Sequence, residues 1–327
     1  MAPDHSIPPG GWHTMKFSIF LPTGFAKEFA GFTDPIEAYS RLAEIAKLAD
    51  DAGYHSLLAP DHLTTVQPSN EMVFEAWTLT AALARETSNV RIGQLVTANG
   101  YRNPALQAKM ASTVDVISGG RLDFGIGAGW LESDHRQYGY DFGTTGERLR
   151  KLDEAVQIIL ALWTEKKTTF EGRYYQVHDA VNEPKGVQLP HIPLMIAGGG
   201  EKVTLRLVAQ YGDACNIMDS PEVARHKFAV LRDHCRDVGR DYTAIKRTVT
   251  TPCIIRETDA EARALIPLAS KFVFPGDLGS YGLVGTLDTV KKRIAAFEEA
   301  GVQELIIYFE DPTSVKQVEE FARFAVE

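Results

Sequence analysis

The sequence predicts a closed (β/α)₈ barrel, a TIM barrel, and three observations carry that prediction. Short β-forming runs alternate with longer amphipathic runs from Met15 almost to the C-terminus. Most of the β-forming runs are apolar on both faces, the pattern of parallel strands covered by helices. The strand–helix units number eight, which favours closure into a barrel over an open, doubly wound sheet.

The elements follow in order. "MKFSIFLP" reads as the first strand and "DPIEAYSRLAEIAKLADDAG" as its helix, with Asp34 as N-cap, Pro35 at the first helical position and Gly53 as terminator. "YHSLLAPDH" and "VFEAWTLTAALARETS" form the second unit, "VRIGQLVTAN" and "PALQAKMASTVDVISGG" the third. "GRLDFGIGAG" is the fourth strand. An irregular stretch from Trp130 to Thr145 separates it from the helix "GERLRKLDEAVQIILALWTE". "TTFEGRYYQVHDA" breaks the alternation; its β-formers flank a Gly-Arg turn and predict an inserted hairpin outside the main sheet. "IPLMIAGGG", "DACNIM" and "IKRTVTTPCIIR" are strands five to seven, followed by the helices "EKVTLRLVAQYG", "PEVARHKFAVLRDHCRDVG" and "DAEARALIPLAS". A loop around "FPGDLGSYGLVG" leads to the helix "LDTVKKRIAAFEEAG", the last strand "VQELIIYFE" and a closing helix.

Barrels of this kind reach 327 residues as one domain, so residues 15–327 are expected to form a single domain behind a flexible Pro/Gly-rich leader, 1–14. That leader has no apolar core of the signal-peptide kind, and no run approaches the ~18 apolar residues of a membrane span. A net charge of −9 argues against a nucleic-acid or anionic-membrane partner. The three cysteines form no C-x-x-C pair, which signals reduced thiols in a cytoplasmic protein and no metal site.

In a barrel the chemistry sits where the strands end. The second strand ends at Asp61 and His62, an orienting carboxylate beside an imidazole suited to proton transfer; the plainer reading is a capping Asp beside a surface His. The third ends with Gln94, Thr97 and Asn99, which suit the polar edge of a ring system or an ordinary loop. "GIGAGW" closes the fourth. Its spacing is not G-x-G-x-x-G and no clear helix follows at once, so a dinucleotide turn is rejected, and with it a nicotinamide-dependent Rossmann enzyme. Gly127, Ala128 and Gly129 then suit a small-residue wall against a flat ring, with Trp130 lining a cavity, or simply tight barrel packing. Gly198, Gly199 and Gly200 before a helix suit an anion, and Asn216 falls at the barrel mouth.

Taken together, "SLLAPDHL", "VRIGQLVTANGYRNPALQAK", "SGGRLDFGIGAGWLESDHRQYG", "PLMIAGGGEKVTLRLVAQYGDACN" and "VGTLDTVKKRIAAFEEAGVQELIIY" resemble the luciferase-like flavin superfamily. The pattern is most similar to its branch of oxidoreductases dependent on the deazaflavin coenzyme F420. The resemblance implies a barrel, often a homodimer, that binds its cofactor at the strand ends and acts on a small molecule. It implies Asp61 against the deazaflavin ring and His62 as proton donor or acceptor. It implies a bulge with a non-prolyl cis peptide at Gln94–Leu95, and Thr97, Ala128 and Ser133 at cofactor positions. It places the phosphate at Gly198 to Gly200. Members that oxidise sugar phosphates have an acidic residue where this chain has Trp130, and an aromatic near Val66, so Trp130 and Val66, with Asn216, point to a more apolar substrate. The resemblance thus implies an F420-dependent reductase or dehydrogenase. The alternatives are an FMN-dependent monooxygenase on the same barrel and a non-catalytic cofactor-binding barrel.

Overall fold

The computed structural model describes residues 15–267, 270 and 273–326. The leader expected at 1–14 and part of the segment "LIPLAS" lie outside the described residues.

Eight parallel strands form the barrel: β1 (Lys16–Phe20), β2 (Ser56–Ala59), β3 (Arg91–Gln94, continued at Thr97–Ala98), β4 (Leu122–Gly127), β5 (Leu194–Ala197), β6 (Ala214–Ile217), β7 (Lys246–Ile255) and β8 (Glu304–Phe309). Each pairs with the next, and β8 returns to β1 through the register Lys16↔Glu304 to Ile19↔Ile307, which closes the sheet. The expected fold class is therefore the observed one.

The helices are α1 (Pro35–Asp51), α2 (Ala76–Glu86), α3 (Pro104–Ser118), α4 (Glu132–Tyr138), α5 (Thr145–Thr164), α6 (Thr204–Tyr211), α7 (Pro221–Val238), α8 (Asp259–Ala264), α9 (Leu278–Tyr281), α10 (Leu287–Glu299) and α11 (Val315–Ala325). Their boundaries follow side-chain chemistry. Asp34, Asn103 and Ser220 each accept a backbone N–H ahead of a proline at the first helical position. Gly119 and Gly239 end α3 and α7 in the left-handed region. Thr144 and Glu147 form a capping box at α5. The inserted hairpin is present, Thr168–Glu171 antiparallel to Gln176–Ala180 in a sheet of its own.

Three local expectations need correction. The stretch after Trp130 contains α4 rather than irregular chain, with acidic Glu132 and Asp134 in its first turn. The loop before α10 holds α9 and a short strand, Leu283–Gly285. That strand pairs with the last three residues of β7, which is ten residues long and outruns its barrel neighbours. The helix after β7 stops at Ala264, short of the "DAEARALIPLAS" expected of it.

The glycines of "GIGAG" are explained by their neighbour strand. A Cβ on Gly125 would lie 2.2 Å from the Gln94 carbonyl oxygen, and one on Gly127 would lie 2.8 Å from Val96 Cγ2. Both make room for the bulge between Gln94 and Thr97. The cis peptide lies at Leu95–Val96, one residue beyond the expected position. The ladder holds through Leu95, whose N–H donates to Ala59 O at 2.9 Å, so the departure begins only after it.

Candidate active site

The C-terminal ends of the strands surround a cavity of about 460 Å³. Its walls come from the ends of β1, β2, β3 and β4 on one side and of β5 and β6 on the other. Asp61, His62, Leu95, Thr97, Ala128, Trp130, Gly198, Gly199 and Asn216 all line it.

His62 is held on three sides. Its Nδ1 lies 2.9 Å from Asp134 Oδ2. Phe25 stacks on the ring at 5.0 Å between centroids, and Trp130 meets it edge-on at 5.7 Å. With Nδ1–H directed at the carboxylate, Nε2 is the ring nitrogen left for other partners. Asp134 also accepts Tyr101 Oη at 2.8 Å, and both the N–H and the hydroxyl of Thr64. Burial works to raise the Asp134 carboxyl, but these hydrogen bonds, His62 first among them, hold it below the ordinary carboxylate range. Burial beside that carboxylate pushes the Tyr101 phenol well up, so it stays a donor.

Asp61 does something else. The expectation that it orients His62 fails because its two oxygens are taken by Arg102, at 2.6 and 3.0 Å. Oδ2 also accepts Thr97 Oγ1 at 2.9 Å and the Ala98 N–H at 3.0 Å. Arg102 in turn pairs with Glu75, the cap of α2. Asp61 thus ties the β2 end to the far side of the β3 bulge. Its neighbour His62 faces α4 instead.

Gln94 is not brought to the cavity. Successive strand residues face opposite ways, and its amide donates to Thr80 of α2 at 2.9 Å. Ser133 and Gly200 also lie outside the lining, the Ser133 hydroxyl being buried with no partner among the described residues. Asn216 turns its amide toward Thr248 and Thr250 of β7, at 2.9 and 3.0 Å. At the far end Gly198 and Gly199 precede α6, and Lys227 of α7 donates to Gly199 O at 2.7 Å. Lys227 is the only lysine or arginine among the described lining residues.

Sequence reasoning missed Asp134, Phe25, Tyr101 and Lys227. Asp134 carried the best signal, a carboxylate in the first turn after "GAGW", but only once α4 is recognised. Val66 lines a second chamber of about 270 Å³ that shares Phe20, Phe25, Met218 and Val273 with the first.

The closed parallel barrel with a histidine-bearing cavity at its strand ends defines the class. A model of the luciferase-like monooxygenase family matches residues 15–277, and the chain belongs to that family. It is 31% identical over 229 residues to an F420-dependent glucose-6-phosphate dehydrogenase of Kineococcus radiotolerans, covering 69% of this chain and 67% of that protein. It is 25% identical to an FMNH₂-dependent dimethylsulfone monooxygenase of Pseudomonas putida, covering 68% of this chain and 60% of the relative. Its fold matches the structure of an F420-dependent secondary alcohol dehydrogenase in complex with an F420–acetone adduct, with a TM-score of 0.80 at 19% identity, covering 96% and 98% of the two chains. Among the described residues no helix is long and apolar enough to cross a membrane, and no cluster of three metal-ligating side chains occurs.

Proposed function

We propose that the protein is an F420-dependent oxidoreductase acting on a small uncharged molecule. The observation that carries this reading is His62, clamped by Asp134 and Phe25 with Nε2 left for the cavity. A barrel that merely stores a cofactor has no use for an oriented imidazole.

The lining fits a deazaflavin. Gly127, Ala128 and Gly129 give a wall low enough for a flat tricycle, beside the bulge at Leu95 and Val96. Lys227, with Gly198 and Gly199 ahead of α6, suits the phosphate of its side chain. When bound, the cofactor supplies or takes up a hydride. The chain's own residues do the rest. Asp134 fixes the His62 tautomer, and His62 gives or takes the accompanying proton at Nε2. Buried Phe25 covers one face of the imidazole, and the Asp61–Arg102 pair holds the bulge that shapes the ring wall. FMN-dependent monooxygenation on the same barrel is the competing reading, supported by relatives such as the dimethylsulfone enzyme.

The two differ in their use of oxygen. Mixed in air with reduced F420 and a carbonyl substrate, the protein should oxidise the cofactor with no oxygen uptake beyond the protein-free control. Substrate-dependent oxygen consumption with reduced FMN would replace this reading with the alternative.

A further inference from the structure

The second chamber adjoins the first through the shared residues Phe20, Phe25, Met218 and Val273, Phe25 being the ring stacked on His62, and its composition is unlike that of the cofactor wall. Its body is apolar, with Phe20, Phe25, Val66, Val273 and Phe274 among its walls. Three carboxyl groups line it, Glu28, Glu310 and Asp311. The Ala26 N–H donates to Glu28 Oε2 at 2.8 Å, and the Tyr308 hydroxyl reaches Oε1 at 3.5 Å. No lysine or arginine pairs with it among the described residues. Lys27 lines the same chamber, and Glu310 at its edge is already paired with Arg256. Asp311 accepts Thr313.

We propose that this chamber is the substrate site, that it takes the apolar body of an uncharged carbonyl or hydroxyl compound, and that the Glu28 carboxylic acid donates a hydrogen bond to its oxygen. This rests on the oxidoreductase reading of the adjoining cavity. A space of about 150 Å³ accepts a benzene ring, so about 270 Å³ holds one six-membered ring with substituents. Burial pushes the Glu28 carboxyl up to about 7, against the pull of the backbone amides and Tyr308, so the acid form is present near neutrality. Oε2 accepts the Ala26 N–H and Oε1 has the longer contact, 3.5 Å from the Tyr308 hydroxyl, so Oε1 is the oxygen to carry the proton. With Glu28 in its acid form and Glu310 paired with Arg256, Asp311 and Lys27 offset each other among the described lining residues, so the apolar walls leave a charged ligand's desolvation uncompensated and favour an uncharged one.

Binding without cofactor tests this directly. Cyclohexanone, cyclohexanecarboxylate and cyclohexylamine are titrated into the purified protein and followed by ligand-observed saturation-transfer NMR. At pH 6 the ketone should bind about tenfold more tightly than either charged analogue, the scale of one buried hydrogen bond. Its affinity should fall as pH rises through about 7, where Glu28 ionises. The titratable and charged described groups around Glu28 are Tyr308 from β8, His62 after β2, Lys27 in its own loop, and Glu310 and Asp311 after β8. Of these, His62 is the imidazole that E28Q leaves in place. E28Q separates them: its amide still accepts Ala26 and still donates, so it should bind the ketone within about twofold of wild type. Its affinity should not change with pH. V66W, which fills the chamber and leaves Glu28 in place, should abolish ketone binding. Tighter binding of the carboxylate or the amine, undiminished binding to V66W, a pH dependence that survives in E28Q, or no saturable ketone binding would each overturn the proposal. F420 and FMN titrated into V66W separate the two readings. Ketone binding by the wild-type chain with no affinity for F420 leaves the chamber standing and removes the cofactor assignment. F420 binding without ketone binding does the reverse.

Discussion

Asp134→Asn is the perturbation on which most of the site's geometry converges. The carboxylate takes hydrogen bonds from His62 Nδ1, Tyr101 Oη and both donors of Thr64. An asparagine keeps one acceptor oxygen and must turn its NH₂ toward a second donor pair. If that oxygen stays with Thr64, the NH₂ faces His62 and Tyr101. The neutral imidazole then has to move its proton to Nε2, the wrong nitrogen for accepting one from the cavity side. Charge-assisted hydrogen bonds contribute about 1.5–3 kcal/mol each against about 0.5–1.5 for neutral ones. Weakening all four should therefore cost about 4 kcal/mol of stability, read from urea unfolding at pH 7. Because the Asp134 carboxyl is held low, its stabilisation is present above the unfolded value and lost as pH falls through the folded one. The variant's deficit should accordingly shrink below about pH 4. On the proposed reaction the rate should fall about 10²–10⁴-fold, with cofactor affinity within about threefold of wild type. His62→Ala should lose a similar factor, and the double variant little more, since the two residues act as a unit. Wild-type stability together with wild-type turnover would refute the reasoning.

The remaining predictions concern the loop after β1 and the strand β4 beside the bulge. Glu28 has its carboxyl raised from 4.5 to about 7, so its burial penalty is absent below about pH 4.5, grows up to about pH 7 and is complete above it. Glu28→Gln should then be more stable than wild type by up to about 3 kcal/mol at pH 8 and equal to it at pH 4, measured by urea unfolding. Equal curves at both pH values would contradict the burial argument. Gly125→Ala should cost about 2–3 kcal/mol, because its Cβ would lie 2.2 Å from the Gln94 carbonyl and displace the bulge. The same variant should weaken cofactor binding, and an unchanged melting temperature would show that the strand can move aside.

Much of this architecture was legible because local rules agree with one another. Asp34-Pro35, Asn103-Pro104 and Ser220-Pro221 announce helix starts by chemistry that needs no tertiary partner, and the apolar strands can only be parallel and covered. The site was legible only as far as the strand ends identify it. Asp61 and His62 are adjacent in sequence, yet one faces Arg102 and the other Asp134, which lies 72 residues further along. No local pattern reports that pairing. Gln94 reads as a polar group at a strand end, but strand alternation sends it out to α2. Gly127, Ala128 and Gly129 read as a wall for a ligand, and Gly127 also makes room for the neighbouring strand, where its Cβ would meet Val96. Helix α4 was hidden because its seven residues bury only the polar Asp134 and His135 and so show no apolar periodicity.

The central claim is that the cavity between His62 and Lys227 is built for a deazaflavin. Spectroscopic titration of the purified protein with F420 beside FMN, in oxidised and reduced forms, tests it most directly. Saturable binding of F420, at least about tenfold tighter than that of FMN and weakened by Lys227→Ala, is the predicted result. Tight FMN binding with none for F420 would contradict it.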